Sequence, residues 1–106
     1  MAVAQSRVIP KTNVEKAIDK VIRRLGRDVV RVRYSFGEDW TGDPSIYFRV
    51  VLSDEASRDD KRGDVTRRVV NQVINELQPQ GEWGLIPYIS FRSNAEQGRL
   101  RDPEWA

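Results

Sequence analysis

The chain contains no cysteine and no histidine. Without cysteine nothing ties it to an oxidising compartment. Without histidine the common acid–base and triad mechanisms lose their usual participant. No apolar run exceeds a few residues, far short of the ~20 that cross a bilayer, so no membrane partner is expected. Met1–Arg7 show no apolar signal-peptide region, and cytoplasmic residence is the expectation. Internal repeats, low-complexity tracts and Gly/Ser-rich linkers are missing too, as are the Walker, dinucleotide and zinc patterns. No cofactor and no catalytic residue is expected.

What is present describes a globular domain. At 106 residues, with 39% hydrophobic and 32% charged side chains, the chain is too apolar for disorder and too charged for a membrane protein. One domain spanning residues 1–106 is expected. The formal net charge is only +2, but its distribution is uneven. Residues 1–33 carry +6, residues 34–66 carry −4, and residues 67–106 balance. Such separation fits one basic and one acidic surface, or a solvated domain with a chance gradient.

Val14, Ala17, Ile18, Val21, Ile22 and Leu25 recur at helical spacing and predict a helix over 13–25. Thr12 and Glu15 fit a capping box at its start, and Gly26 fits the left-handed position past its end. Residues 29–36 switch to period two and predict a strand; 45–53 predict another. Gly37, Gly42, Asp43 and Pro44 punctuate the loop between them, which makes the pair an antiparallel hairpin. Residues 54–64 are nearly all polar, with Ser57/Asp60 or Gly63-Asp64 as starts for a second helix reaching about Gln78. Pro79 ends it. A third strand covers 85–92, and Pro87 within it argues for an edge position. Residues 93–106 read as a polar C-terminal tail.

The order α-β-β-α-β predicts an α+β two-layer sandwich, with a three-stranded mixed sheet and both helices on one face. Strand one is placed in the middle, giving spatial order 2-1-3, and a strand of a partner chain could complete either edge. With Val30, Val32, Phe48 and Val50 under the helices, the opposite face shows Arg31, Arg33, Tyr47 and Arg49. Tyr88 and Arg92 join them if Leu85, Ile89 and Phe91 point to the core. Arginines interleaved with tyrosines suit RNA, through stacking and phosphate contacts. They equally suit a protein interface, or an ordinary solvated face with cross-strand pairs.

Glu38, Asp39 and Asp43 lie at one end of the hairpin and Asp54 and Glu55 at the other, so they form no common site. A parallel crossover would gather Asp54, Glu55 and Ser57 near Arg92, Ser93, Asn94 and Glu96. No metal is expected; Asp54, Glu55 and Glu96 come nearest to a magnesium-type ligand set. An ion pair of Arg92 with Asp54 or Glu55 is the plainer expectation there. Gly81-Glu82-Trp83-Gly84 has the GxxG form of a nucleic-acid clamp, but its glutamate would repel phosphate, and a turn is expected. Trp40, Trp83 and Trp105 all fall outside the predicted elements. Each either folds back on the core or meets a partner.

The stretches Gly37-Glu38-Asp39-Trp40-Thr41-Gly42-Asp43-Pro44, Phe48-Arg49-Val50-Val51-Leu52-Ser53-Asp54-Glu55 and Phe91-Arg92-Ser93 resemble small bacterial proteins of unassigned function. The resemblance covers most of the chain and implies a bacterial accessory protein, with no activity and no site residue. The sequence therefore leads to a non-catalytic interaction module or small accessory subunit that binds itself or another protein. The alternative is RNA or single-stranded DNA binding on the arginine–tyrosine face. Candidate contacts in either case are Arg31, Arg33, Tyr47, Arg49, Tyr88, Arg92, Trp40 and Trp105.

Overall fold

The computed structural model describes residues 11–78 and 84–106. Along them run α1 (Lys11–Leu25), β1 (Val29–Glu38), β2 (Pro44–Leu52), α2 (Asp59–Leu77), β3 (Ile86–Ser93) and a short α3 (Asn94–Leu100). Tight 3-10 turns occupy Gly26–Asp28 and Pro103–Trp105. The class is α+β, and the α-β-β-α-β order is the expected one, followed by one further helix.

Apolar side chains at three- and four-residue spacing hold both long helices against the sheet. Val14, Ile18, Val21 and Leu25 of α1 are buried, as are Val65, Val69 and Val73 of α2. The first helix is already helical at Lys11, ahead of the expected cap, and the Thr12 side chain lies outside the described residues. Gly26 does take the left-handed conformation, with φ +63°. The second helix starts at Asp59 after Arg58. Ser57 does not cap it, because its hydroxyl donates to the Ser53 carbonyl at 2.9 Å. Asp59 and Asp60 in the first turn complement the helix dipole instead. Gln78, left-handed at φ 41°, closes the helix by donating its N–H to the Ile74 carbonyl at 2.8 Å. Pro79, and the Gly81–Trp83 part of the expected turn, lie outside the described residues. Glu76, paired with Arg24 and with Lys20 (3.7 Å), ties the two long helices together, and Arg68, paired with Asp28, ties α2 to the turn after α1.

The sheet runs in the order β1-β2-β3. The first pair is antiparallel and the second parallel. The expected order, with strand one central, is thus corrected: β2 is central. A central strand has neighbours on both sides, and β2 is the strand whose residues are buried on both faces. Ile46, Phe48 and Val50 point to the helices and Val51 to the other side, all essentially inaccessible. β1, with Arg31 and Arg33, and β3, with Pro87, take the edges.

A bulge between Val29 and Arg31 also corrects the alternation at the start of β1. An extra residue in one strand shifts the facing of what precedes it. Val29 therefore enters the core, and Val30, expected there, is 43% exposed. From Val32 onward the expected alternation holds.

Residues 94–106 fold onto the face opposite α1 and α2. Ser93 caps α3 by accepting the Glu96 N–H at 3.0 Å, and Asp54 accepts the Ala95 N–H at 2.8 Å. Arg101, left-handed at φ 51°, ends the helix. Asp102 accepts the Glu104 N–H at 3.0 Å and starts the turn in which Trp105 is buried. What reads as a polar tail is a second, partial covering layer.

Candidate interaction site

Strand pairing arranges the face opposite the helices in rows. Ser35, Tyr47 and Tyr88 form one, Arg33, Arg49 and Ser90 the next, and Arg31, Val51 and Arg92 the third. Six of the eight sequence candidates therefore share one face. The segment 94–106 covers the two arginine rows. Arg31 donates through Nε to the Trp105 carbonyl at 2.9 Å, and Arg33 donates through Nε to the Ala106 oxygen at 2.6 Å. Arg49 donates to Ser35 Oγ at 3.0 Å and pairs with Glu104 at 3.4 Å. Arg92 lies 4.3 Å over the Trp105 ring, donates to Gln97 Oε1 at 3.1 Å and pairs with Asp102 at 3.4 Å. The expected pairing of Arg92 with Asp54 or Glu55 gives way to these contacts, because Asp54 is taken by α3 and Glu55 by Lys61. Trp105, only 7% exposed, is held inside the molecule.

The tyrosine row stays outside this cover. The Tyr47 and Tyr88 rings stack with centroids 5.3 Å apart and planes 16° from parallel. Tyr47 donates its hydroxyl to the Glu38 carbonyl at 3.0 Å, and Tyr88 donates to Asp39 Oδ2 at 2.9 Å. The other Asp39 oxygen accepts from the Thr41 hydroxyl at 2.6 Å, the Thr41 N–H at 2.9 Å and the Asp43 N–H at 3.0 Å. These donors, the Thr41 hydroxyl foremost, hold the Asp39 carboxyl down at about 2. The hydrogen bond to Asp39 in turn raises the Tyr88 phenol above its ordinary 10.0. Trp40, at the tip of this ordered loop, is 91% exposed.

The acidic loops are accounted for locally. The topology does bring Asp54 beside the start of α3, as the crossover argument required, but its carboxylate caps that helix. Glu55 pairs with Lys61 at 2.8 Å, and that hydrogen bond lowers its carboxyl. Among the described residues no group of three or more His, Cys, Asp or Glu side chains is placed to hold a metal ion.

A surface absent from the candidate list is the outer edge of β1. The Asp39 N–H bonds the Asp43 carbonyl at 2.9 Å, so these residues form a hydrogen-bonded pair at the mouth of the hairpin. Antiparallel pairs alternate between bonded and non-bonded. In the observed register Ser35 and Arg33 therefore bond β2, while Val32, Tyr34 and Phe36 turn their N–H and C=O groups outward. Pro44, opposite Glu38, has no N–H to give, which agrees with this parity. The side chains of the outward-bonding residues border an open groove of about 830 Å³ between β1 and α1, with Ile18 and Ile22 and the carboxylates of Glu15 and Asp19 on its helical wall. Phe36 is 43% exposed there and meets Tyr34 edge-on, with centroids 5.7 Å apart. The Tyr34 hydroxyl is buried and has no hydrogen-bond partner among the described residues. Burial, and then the nearby Glu15 charge, raises its pKa. The signal that would have found this edge is the greater apolarity of residues 45–53, which assigns β2 to the centre and leaves β1 outside.

Comparison with known proteins gives no match: no family model, no curated protein and no solved structure is similar to this chain.

Proposed function

We propose that the chain is a non-catalytic protein-interaction module that receives a partner's strand on the outer edge of β1. The observation that carries this reading is a ten-residue edge strand whose outward backbone groups lie beside half-exposed Val30 and Phe36. Folded proteins usually blunt such edges with short strands, protruding charge or a cover. Here the two edge arginines are turned away and tethered to residues 105 and 106. Strand addition then supplies main-chain hydrogen bonds, and the groove along α1 takes alternate side chains. Placing the photoreactive amino acid benzoylphenylalanine at position 36, in the cell of origin, tests the reading. A protein adduct at 36, with none when the same group replaces exposed Asn71 of α2, is expected; no adduct at 36 overturns it.

Nucleic-acid binding on the arginine–tyrosine face has less support. Four of its guanidinium groups already serve residues 97–106, and the open tyrosine pair sits beside Glu38 and Asp39. A single-stranded oligonucleotide should not bind at low salt; steeply salt-dependent binding would favour that alternative.

A further inference from the structure

We infer that the strand received on β1 carries two basic side chains, two residues apart, on the side that faces α1. The inference rests on the reading of β1 as a contact edge and adds the chemistry of the partner.

A strand added to an edge turns each side chain to the same side as the residue it pairs with. Val32 belongs to the core beneath the helices, and Tyr34 packs against that core. Side chains paired with Val32, Tyr34 and Phe36 therefore point toward α1 and enter the groove. Its helical wall offers Ile18 and Ile22 and the carboxylates of Glu15 and Asp19. Burial and then the Glu15 charge raise the Tyr34 phenol, which sets that carboxylate beside Tyr34. The arginines of β1 bring no counter-charge to this side, because Arg31 and Arg33 are drawn to residues 105 and 106 on the other face. Lys16, Lys20 and Arg23 stand on the outer flank of α1 around Glu76, and Asp19 lies between that flank and the groove.

Spacing decides the number of cations and their positions. Glu15 and Asp19 are one helical turn apart, ~6 Å along the axis. Side chains i and i+2 on one side of a strand are ~6.7 Å apart. Gly26–Asp28 reverse the chain between α1 and β1, so with Glu15 beside Tyr34, Asp19 falls toward Val32. A cation opposite Tyr34 and another opposite Val32 thus meet one carboxylate each. Lysine or arginine suits the groove in a second way: its methylene stem lies on Ile18 and Ile22 while the charged head reaches the rim. A second copy of this chain, joined through the same edge, lacks this pattern. Its outward residues bring Val32, Tyr34 and Phe36 to the α1 side, with the arginines on the other, and Glu15 and Asp19 gain no partner.

The test starts from the segment joined to benzoylphenylalanine at position 36. That segment is identified by mass spectrometry, synthesised as a peptide and titrated against the chain. It is expected to hold two lysines or arginines in an i, i+2 relation and to bind less tightly as salt rises. Glu15→Lys with Asp19→Lys, at two exposed sites, should weaken binding roughly tenfold by turning two attractions into repulsions. Glu15→Gln with Asp19→Asn should give a smaller loss. Asp60→Lys with Asp64→Lys, an equal change of charge at exposed sites of α2, should leave affinity within about twofold. A linked segment without the two cations, one from a second copy included, overturns the basic strand and leaves strand addition standing. So does an affinity indifferent to the replacements at 15 and 19. No adduct at position 36 overturns both.

Discussion

Trp105 and Trp40 differ in fate because of what their neighbours can do. Trp105 follows Asp102-Pro103, which starts a turn, and it meets a guanidinium from Arg92 and the buried Val51 side of the sheet. Trp40 follows Asp39, whose carboxylate is spent on ordering the loop, and its ring is left 91% exposed at the loop tip. Trp105→Ala should therefore cost about 3 kcal/mol in urea unfolding, the usual range for a buried tryptophan. Trp40→Ala should stay within about 0.5 kcal/mol. The Asp39–Tyr88 pair makes a pH prediction. With its folded pKa depressed from 3.8 to about 2, Asp39 supports the loop above pH 3.8, and that support is lost as pH falls through about 2. Tyr88 is shifted the other way: its contribution is complete below pH 10.0 and fades as pH rises through the elevated folded value. Asp39→Asn should bring the Tyr88 phenolate midpoint, followed by ultraviolet absorbance, back toward 10.0.

At the scale of elements, the helix stripes and the alternation of β1 and β2 were readable because each side chain reports its own burial. Strand order was not, since it depends on comparing strands, and the decisive difference is that β2 carries Val51 inward on the second face while β1 carries arginines there. The bulge at Val30 was invisible for a related reason: Val29 and Val30 are chemically equal, and only the register with Leu52 and Val51 decides which enters the core. The fold of 94–106 was legible in principle. Ser93-Asn94-Ala95-Glu96 has the spacing of a capping box, and Asp102-Pro103 that of a turn start, but a mostly polar composition hid both. The candidate face itself was well read from alternation; that the same chain covers it was not, because main-chain acceptors at 105 and 106 have no sequence signature. Ser93→Ala should weaken α3 by about 1 kcal/mol, the typical worth of a helix N-cap. It should speed amide exchange through 94–100 while leaving the β2 amides unchanged.

For the whole molecule, the division of labour between the two sheet edges and two sheet faces sets the expected behaviour. Among the described residues one sheet face is closed by α1 and α2 and much of the other by residues 94–106, which leaves the sheet edges open to strand pairing. β3 is the poorer edge, since Pro87 withholds a donor; β1 is longer and uninterrupted from Val32 to Glu38. If a partner's strand joins there, folding and binding are linked, because a partner that binds only folded chains stabilises them by mass action. The melting temperature of the chain should then rise by several degrees as the concentration of the partner segment is taken from well below to well above the dissociation constant. Phe36→Pro tests the source of that rise. It removes an outward N–H and an apolar rim contact without touching a β1–β2 hydrogen bond, so it should abolish the dependence on concentration, while the lost edge-on contact with Tyr34 lowers the dilute melting temperature. Differential scanning calorimetry over a hundredfold concentration range reads both, and a parent melting temperature independent of concentration would place stability entirely within the single chain.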